Sequence, residues 1–358
     1  TPSFTINDEK GFYHCFSTAE HGNIFDFLMK TKNYKFGEAV RALANEAGME
    51  QYKFTKQDEE KQNRWKNYNS ILENYANYCH DELLSGKYPD VKKYLKERNI
   101  SDKEITFFKL GFSPSESNFF ENSKKDFDEK KISASGIYYL DENKNKYVDR
   151  FRGRIIFPVK SLNHSIFALG GRSLSKKSFA KYINSPETEF YKKGRQVFNL
   201  DRAKSISNKE GKVIIVEGYM DVITLHSFGI KNVVSNQGTA LTENQINLIW
   251  KFFNHPIICL DGDQSGQKAS LRIAEHLFSF IKENNKIGFV SLKNGIDPDD
   301  YIKEKGKEVF ESFLKTKLSI QDFIWKIYSN DLDRNDPFAA TKFEKKFKNL
   351  CRTIKDET

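Results

Sequence analysis

Cysteine is scarce in this sequence, with four residues among 358, and none of them forms a Cys-x-x-Cys pair. The four are Cys15, Cys79, Cys259 and Cys351, and their wide spacing does not suggest a disulfide framework. Scattered cysteines are typical of a protein in a reducing compartment. We therefore expect free thiols.

Long apolar runs are also missing. No stretch approaches the roughly 18 consecutive apolar residues that a membrane-spanning helix needs, and the first residues do not resemble a signal peptide. We therefore expect a cytoplasmic protein without a membrane partner.

Charge is plentiful and unbalanced. Lysine and arginine number 58 against 49 acidic residues, which gives a net charge of +9. A basic surface favours a polyanionic partner such as nucleic acid. Because lysine is scattered along the whole chain, a general compositional bias explains the charge equally well, and the charge alone does not decide.

Strand and helix patterns alternate four times after residue 211. The four apolar strands are KVIIV, NVVSN, PIICLD and IGFVSL, and an amphipathic helix pattern follows each of them. This alternation predicts a doubly wound α/β unit with a mostly parallel sheet. Residues 306–358 are charged and predicted to be helical.

The preceding part of the chain has a different pattern. Short strands rich in aromatic and β-branched residues (GIYYLD, YVDRF, RIIFPV and IFALGG) predict a mixed or antiparallel sheet. Before them, the sequence predicts a hairpin near the start, helices within 24–48, a polar linker or exposed helix start at 53–64, two helices over 65–98 and irregular structure at 101–130. The fold class is therefore α+β followed by α/β, in several domains.

Acidic residues follow three of the four strands of the α/β unit. Glu217 follows the first, Asp261 and Asp263 the third, and Asp297 and Asp299 the fourth. The carboxyl ends of parallel strands meet at one edge of the sheet, so these acids would repel each other unless a cation lies between them. Oxygen ligands without nearby His or Cys favour Mg²⁺ or Mn²⁺.

Each acidic motif also has a simpler interpretation. Asp-Gly-Asp is a common exposed turn, and Asp297 and Asp299 suit the first turn of a helix. Gly238 and Thr239, after the second strand, either shape the floor of a site or form a structural turn. The coincidence of acids at successive strand ends favours a site.

Basic residues cluster upstream. If RFRGR is a strand, Arg150, Arg152 and Arg154 share one face, which suits phosphate binding. KYINSPET brings together a cation (Lys181), a stacking ring (Tyr182) and a hydrogen-bonding amide (Asn184).

These motifs carry a family resemblance. VEGYMDV, ICLDGDQSG and DPDD, in this order, resemble a TOPRIM domain. RFRGRIIFPV, ALGGR, KYINSPET and KKGR resemble the bacterial DnaG-type primases, as do YLKERNISDKEITFFKLGFSPS and, near the start, TPSFTINDEKGFYHCF. The resemblance covers nearly the whole chain. It implies a zinc-ribbon remnant at 1–50, a linker at 51–64, a core subdomain at 65–210, a TOPRIM domain at 211–305 and a helical segment at 306–358.

The resemblance also implies activity and residue roles. It implies a nucleotidyltransferase that makes RNA primers on single-stranded DNA from ribonucleoside triphosphates, with the replicative helicase and single-strand-binding protein as partners. Glu217 would be the acid–base or metal-organising glutamate, with Asp221 near it. Asp261 and Asp263 would be the main metal ligands, and Asp297 and Asp299 would complete the cluster. The implied basic groove contains Arg150, Arg152, Lys181, Tyr182, Asn184 and Lys193.

The sequence departs from the family at its zinc ribbon. The second ligand pair reads Cys15-Phe16-Ser17-Thr18, so that a threonine stands where a cysteine is expected, and the first pair would precede residue 1. A hydroxyl is a poor zinc ligand, and His14 and His21 suit a surface or packing role. We therefore predict no zinc site.

Three other functions remain open. Asp261-Gly262-Asp263-Gln264-Ser265 matches the DxDxS motif of haloacid-dehalogenase-type phosphatases, although it follows the third strand rather than the first and leaves Glu217 without a role. A TOPRIM topoisomerase or nuclease would need a positioned tyrosine in another domain. A nucleic-acid-binding subunit without catalysis would not need the acidic set.

Overall fold

The computed structural model divides into two compact units, Thr1–Asn67 and Tyr68–Thr358. It describes residues 3–8, 11–18, 20–49, 55–175, 177–206, 211–238, 240–280, 286–292, 295–330, 332–333 and 335–354. Thr239, one of the two residues after the second predicted strand, lies outside this part of the chain.

The first unit contains the predicted hairpin and two helices. Its antiparallel strands are β1 (Phe4–Asn7), β2 (Phe12–Cys15) and β3 (His21–Asn23), and its helices are α1 (Ile24–Thr31) and α2 (Phe36–Glu46). Tyr13 is buried, and its ring centroid lies 5.5 Å from that of Phe4 and 5.3 Å from that of Phe27. The long helix α3 (Lys56–Leu84) begins in this unit, so residues 56–64 are the exposed helix start rather than a linker.

The second unit begins with helices, of which our sequence analysis predicted only some. After α3 come α4 (Pro89–Glu97), α5 (Asp102–Phe108), β4 (Gly111–Ser113), α6 (Phe119–Ser123) and α7 (Glu129–Ala134). The prediction of irregular structure over 101–130 was therefore wrong. The helices there are short, and α5 is held by a capping box between Ser101 and Glu104 rather than by a long apolar period.

The predicted upstream sheet is antiparallel. Its strands are β4, β7 (Arg154–Lys160), β8 (Ile166–Ser173) and β9 (Tyr182–Asn184), in that order, and a separate hairpin pairs β5 (Tyr138–Asp141) with β6 (Lys146–Asp149). Gly170 of β8 faces the Tyr219 ring so closely that a Cβ atom would lie 2.5 Å from it. Glycine is required there because the backbone touches an aromatic ring.

RFRGR is not the strand that we predicted. Residues 150–153 form a turn after β6, and only Arg154 lies in β7. Gly153 has a φ of +67°, which breaks the extended conformation. The three arginines therefore do not share a strand face by alternation.

The α/β unit follows the predicted alternation. Its strands are β10 (Lys212–Val216), β11 (Val233–Ser235), β12 (His255–Leu260) and β13 (Gly288–Ser291); its helices are α9 (Tyr219–Ser227), α10 (Glu243–Trp250), α11 (Gln264–Phe278) and α12 (Pro298–Lys305). A short helix, α8 (Leu200–Ala203), precedes them. The sheet order is β11-β10-β12-β13, all parallel, which confirms the predicted fold class.

The strands of this sheet are apolar on both faces. Ile215 and Ile258 are 1% exposed and pack in one core with Ile249, Leu277 and Phe323. Strands buried on both faces have continuous apolar sequences, and each fully buried side chain of this size contributes about 1.5–3 kcal/mol. The core therefore fixes which strand ends lie side by side.

The chain continues with α13 (Lys307–Lys315), α14 (Ile320–Ser329) and α15 (Pro337–Cys351). The predicted helical segment is correct except for β14 (Leu318–Ser319), which adds an antiparallel edge to β13. Across the residues that the structure describes, every helix is too short or too polar to traverse a bilayer.

Candidate active site

The acids predicted at the strand ends meet at the carboxyl edge of the parallel sheet. Glu217 follows β10 and Asp261 follows β12, while Asp297 follows β13 and caps α12. The side chains of Glu217, Asp221, Asp261, Asp297 and Asp299 line one cavity of about 350 Å³, which we call the acidic pocket. Asp263 caps α11 and accepts a hydrogen bond from the Gly266 N–H at 2.6 Å, but it does not line this pocket.

Three of the carboxylates converge closely. One oxygen each from Asp221, Asp297 and Asp299 lies within 4.8 Å of the other two. Asp221 and Asp299 are buried, and Asp297 is half-buried. Our sequence analysis placed Asp221 near Glu217 but did not include it among the metal ligands. Selecting the acids that follow each strand would have included Asp221, because it lies in the first turn of α9, directly after β10.

The crowding of these acids makes them harder to ionise. Burial and the charges of Asp261 and Asp263 raise the pKa of Glu217 to about 7. Burial and the neighbouring Asp263 and Asp299 raise the pKa of Asp261 to about 6. Burial raises the pKa of Asp221 well above its usual range.

Asp299 behaves differently because two cations contact it. Its Oδ2 accepts hydrogen bonds from Arg98 Nη1 at 3.0 Å and Lys303 Nζ at 2.9 Å. Although burial acts to raise its pKa, hydrogen bonding from Asp297 and from these cations lowers the pKa to about 2. Burial and the hydrogen bond to Asp299 raise the pKa of Asp297 to about 7.

Basic and aromatic side chains also line the acidic pocket. Arg98, Arg172, Lys181 and Lys193 line it, together with Tyr182. The Arg172 guanidinium lies 5.0 Å from both the Tyr94 and the Tyr182 ring centroids, and Arg172 donates a hydrogen bond to the Tyr182 hydroxyl. Sequence reasoning did not name Arg98 and Arg172 as site residues, although both lie in segments that carry the family resemblance, YLKERN and ALGGR. Only the tertiary fold shows that they lie beside the acids.

A second, larger cavity of about 1140 Å³ adjoins the first, and we call it the basic groove. Arg150 and Arg152 line it, as predicted for this groove, and Tyr182, Asn184 and Lys193 line both cavities. Lys181 lines the acidic pocket rather than the groove. Backbone carbonyls orient the two arginines: Arg150 Nε donates to Gly136 O at 3.0 Å, and Arg152 Nη1 donates to Asp149 O at 2.8 Å.

A buried polar network joins the two cavities. The Tyr219 hydroxyl donates to Asn184 Oδ1 and lies 3.3 Å from Gln237 Oε1, while the Tyr191 hydroxyl donates to Gln237 Oε1 at 2.8 Å. Tyr219 also stacks on Phe157, with ring centroids 5.0 Å apart. The network links the groove strand β9 to the start of α9 and to the loop after β11.

The first unit contains the residues of the predicted zinc-ribbon remnant. Cys15 Sγ lies 3.1 Å from Ser17 Oγ, and hydrogen bonds from Ser17 and Thr18 lower the pKa of the Cys15 thiol to about 7. The His14 and His21 rings stack with centroids 6.0 Å apart. Within the described residues of this unit, no three His, Cys, Asp or Glu side chains converge as metal ligands.

Three family models match the chain. The DNA primase catalytic core N-terminal domain matches residues 78–204, the Toprim domain matches residues 211–290, and the CHC2 zinc finger matches residues 1–60. The Toprim match agrees with the resemblance of these residues to a TOPRIM domain, and it ends before Asp297 and Asp299. The zinc finger match conflicts with our prediction that zinc is not expected, because it assigns these residues to a zinc-binding family.

Curated relatives and solved structures agree with these models. The chain is 33% identical to the DNA primase of Rickettsia felis over 99% of its own length and 35% identical to that of Buchnera aphidicola over 94%. It spans 59% and 58% of the length of these two relatives.

Among solved structures, the Aquifex aeolicus primase (zinc binding and RNA polymerase domains) is 30% identical with a TM-score of 0.70, and the match covers 100% of this chain and 84% of that one. A DnaG primase catalytic domain bound to ssDNA is 26% identical with a TM-score of 0.75, and the match covers 83% of this chain and 93% of that one. This likeness, which runs through the acidic pocket and the basic groove alike, disfavours the phosphatase interpretation. The chain belongs to the bacterial DnaG-type DNA primase family.

Proposed function

We propose that this chain is a DNA-directed RNA polymerase that synthesises short RNA primers on single-stranded DNA. The observation that carries the proposal is the junction of the acidic pocket and the basic groove, which share Tyr182, Asn184 and Lys193. A polymerase needs a template strand and a metal-bound nucleotide to meet at one point, and this junction supplies both environments. The relatives named DNA primase support the same activity.

The acidic pocket fits a divalent cation. Oδ1 of Asp261 and Oδ1 of Asp299 are buried and have no hydrogen-bond partner among the described residues. Buried, unpaired carboxylate oxygens beside Glu217, Asp221 and Asp297 suit hard cations such as Mg²⁺ or Mn²⁺. When bound, the cation would lower the pKa of the attacking hydroxyl and neutralise charge on the phosphate. Asp263 would contribute at the outer side of the cluster.

The reaction joins two ribonucleotides. The 3′-hydroxyl oxygen of the first forms a bond to the α-phosphorus of the second, the bond from that phosphorus to the bridging oxygen breaks, and pyrophosphate leaves. Glu217 has two possible roles here: its carboxylate either takes the hydroxyl proton or organises the metal ligands. Lys181, Lys193 and Arg172 would bind the triphosphate, because they line the same pocket as the acids.

The basic groove would hold the template. Arg150 and Arg152 line this groove, and arginine contacts to phosphates give affinity that does not depend on sequence and falls with salt. Asn184 would contact the base or sugar at the junction. We further propose the replicative helicase and single-strand-binding protein as partners and the bacterial cytoplasm as the location, by analogy with replication in the relatives.

The test is RNA synthesis on single-stranded DNA with labelled ribonucleotides and Mg²⁺ or Mn²⁺. Short RNAs from the unmodified chain, lost in Asp261→Ala, support the proposal. Glu217→Gln separates the two roles of Glu217: lost synthesis with unchanged Mg²⁺ binding indicates proton transfer, and loss of both indicates metal organisation. A chain that binds the template but synthesises nothing with either cation would contradict the proposal.

For the first unit, we propose that the zinc finger fold is retained with an incomplete ligand set. Thr18 offers a hydroxyl where zinc requires a thiolate, and Cys15 already contacts Ser17. Metal analysis of the purified chain should find clearly less than one zinc per molecule. A stoichiometric zinc content would overturn this proposal.

A further inference from the structure

Phe179 is the most exposed large hydrophobic side chain of the described residues. Its relative exposure is 107%, so the ring packs against nothing. Among the described residues, no aromatic or cationic group contacts it. A single exposed apolar residue is ordinary, but the position of Phe179 suggests a function.

Phe179 lies in the loop between β8 and β9 and lines the basic groove. Lys177, Arg150 and Arg152 line the same groove. An exposed ring in a groove that is also lined by cations is poorly suited to a protein partner with an apolar face, because the cations would lose their water. It is well suited to a nucleic acid strand, whose phosphates take the charges and whose bases stack on the ring.

The loop that carries Phe179 is anchored on both sides of it. Arg154 Nη2 donates to Ser178 Oγ at 3.0 Å, and Arg154 Nη1 donates to Ala180 O at 2.9 Å. Ser178 Oγ donates in turn to Ala180 O at 3.0 Å. Arg154 thus fixes both neighbours of Phe179, so the ring is presented to the groove by a defined backbone.

Tyr182 and Tyr139 also line the groove, and because the Arg172 guanidinium lies 5.0 Å from the Tyr182 centroid, Tyr139 is left to consider. It is 36% exposed, but the Arg150 guanidinium already lies 5.4 Å from its centroid. One face of Tyr139 is therefore occupied, while both faces of Phe179 are open.

We propose that Phe179 is a base-stacking residue for the single-stranded DNA template. This inference rests on the proposed function and adds to it the residue that contacts a base in the groove. Stacking on an aromatic ring is tolerant of sequence because every base has a π face. Phe179 would therefore add affinity for the template that does not depend on its sequence. It would hold one template base outside the acidic pocket.

The test compares Phe179→Ala with the unmodified chain on two oligonucleotides, oligo(dT) and the same length of abasic strand. Both carry the same phosphates, but only the first has bases to stack. We expect Phe179→Ala to weaken oligo(dT) binding about tenfold and to leave abasic-strand binding and the salt dependence unchanged. Phe179→Trp should retain the binding of the unmodified chain.

Phe338→Ala is the matched control, because Phe338 is 87% exposed and does not line the groove. It should bind both oligonucleotides like the unmodified chain. The fluorescence of a 2-aminopurine base in the bound oligonucleotide should be quenched less by Phe179→Ala than by the unmodified chain.

Two results would overturn the inference and leave the proposed function in place, provided that the unmodified chain binds DNA and makes primers. In the first, Phe179→Ala equals the unmodified chain on both oligonucleotides. In the second, it weakens both equally. A chain that binds no single-stranded DNA at all would overturn the inference and the proposed function together.

Discussion

Arg98 Nη1 lies 3.0 Å from Asp299 Oδ2, although the two residues are 201 positions apart in the chain. Arg98 is the residue after α4, and Asp299 lies in the first turn of α12. The contact ties the upstream part of the second unit to the acidic pocket and, after Asp297 and Lys303, contributes to the low pKa of Asp299.

Arg98→Met tests this contact. The substitution leaves the buried Asp299 carboxylate with Lys303 as its remaining cation, so we expect the metal-free chain to lose about 1–3 kcal/mol of unfolding free energy. Saturating Mg²⁺ should restore part of the loss. Urea denaturation with and without Mg²⁺ measures both quantities.

Lys348→Ala is the control for this experiment. Its partner Glu344 and Lys348 itself are more than 60% exposed, at 63% and 66%, so the loss should stay below about 0.5 kcal/mol. An equally small loss in Arg98→Met would show that Asp299 does not depend on Arg98.

The stability of the metal-free chain should depend on pH through the acidic pocket. The pKa values of Glu217, Asp261 and Asp297 are raised to about 7, 6 and 7 from ordinary values near 4. Between about pH 4 and pH 7 the folded chain therefore binds more protons at these groups than the unfolded chain. Their contribution to the unfolding free energy falls as the pH rises through this window.

The measurement is the gain in Tm on adding Mg²⁺, which should be larger at pH 8 than at pH 5. The gain in Tm is measured, rather than Tm itself, because His226 changes stability with pH in the opposite direction. Burial lowers the pKa of His226 to about 4, so its contribution to the unfolding free energy rises with pH from about 4 to about 6.5. In Asp261→Asn the gain in Tm on adding Mg²⁺ should be smaller at both pH values. A gain that is independent of pH in the unmodified chain would contradict the role of these acids.

Asp221→Asn tests the ligand that our sequence analysis left out of the metal set. Asparagine can still accept the 2.8 Å hydrogen bond from the Gly218 N–H, so the start of α9 should remain intact. Because Asp221 converges with Asp297 and Asp299, we expect Mg²⁺ binding by calorimetry to weaken about tenfold or more, and primer synthesis to fall with it.

Asp300→Asn is the matched control. Asp300 lies in the same helix as Asp299, but its side chain is 59% exposed and pairs with Lys303 at the surface. Its Mg²⁺ affinity should equal that of the unmodified chain. If both variants bind Mg²⁺ normally, the cluster of three acids is not the metal site.

Tyr219→Phe tests the network between the pocket and the groove. The substitution keeps the ring that stacks on Phe157 and removes the hydroxyl that donates to Asn184. The Asn184 amide would lose its fixed orientation, and we expect the KM for ribonucleotides to rise about 3- to 10-fold, in line with one hydrogen bond of about 1 kcal/mol.

Tyr328→Phe removes a comparable hydroxyl, which donates to Glu275 at 2.6 Å away from both cavities. This variant should lose about 0.5–1.5 kcal/mol of unfolding free energy, the contribution of one hydrogen bond, and its KM for ribonucleotides should be unchanged. A KM that rises equally in both variants would assign Tyr219 a structural role only.

Much of this protein could be predicted from local pattern. The apolar runs KVIIV, NVVSN, PIICLD and IGFVSL identified the parallel sheet, because strands buried on both faces have few polar residues. Their order also placed Glu217, Asp261 and Asp297 at one edge, since parallel strands end on the same side. A helix start at Asp297 was also predicted, as acids suit helix starts, whereas the cap by Asp263 was not.

Other features depend on contacts between distant segments. The RFRGR pattern suggested an alternating strand, but Gly153 turns the chain, and backbone carbonyls orient Arg150 and Arg152. Arg98 and Arg172 lie in the quoted segments YLKERN and ALGGR, but only the fold shows that they line the acidic pocket.

The sequence by itself determined which chemistry is available: an acidic strand edge, a basic segment and the family that contains both. Only the tertiary structure decided which acids converge, which cations contact Asp299 and which ring is left open in the groove. The reason is physical: periodicity reports which face a side chain takes within its own element, whereas burial, pKa and contact depend on neighbours that lie far away in the chain.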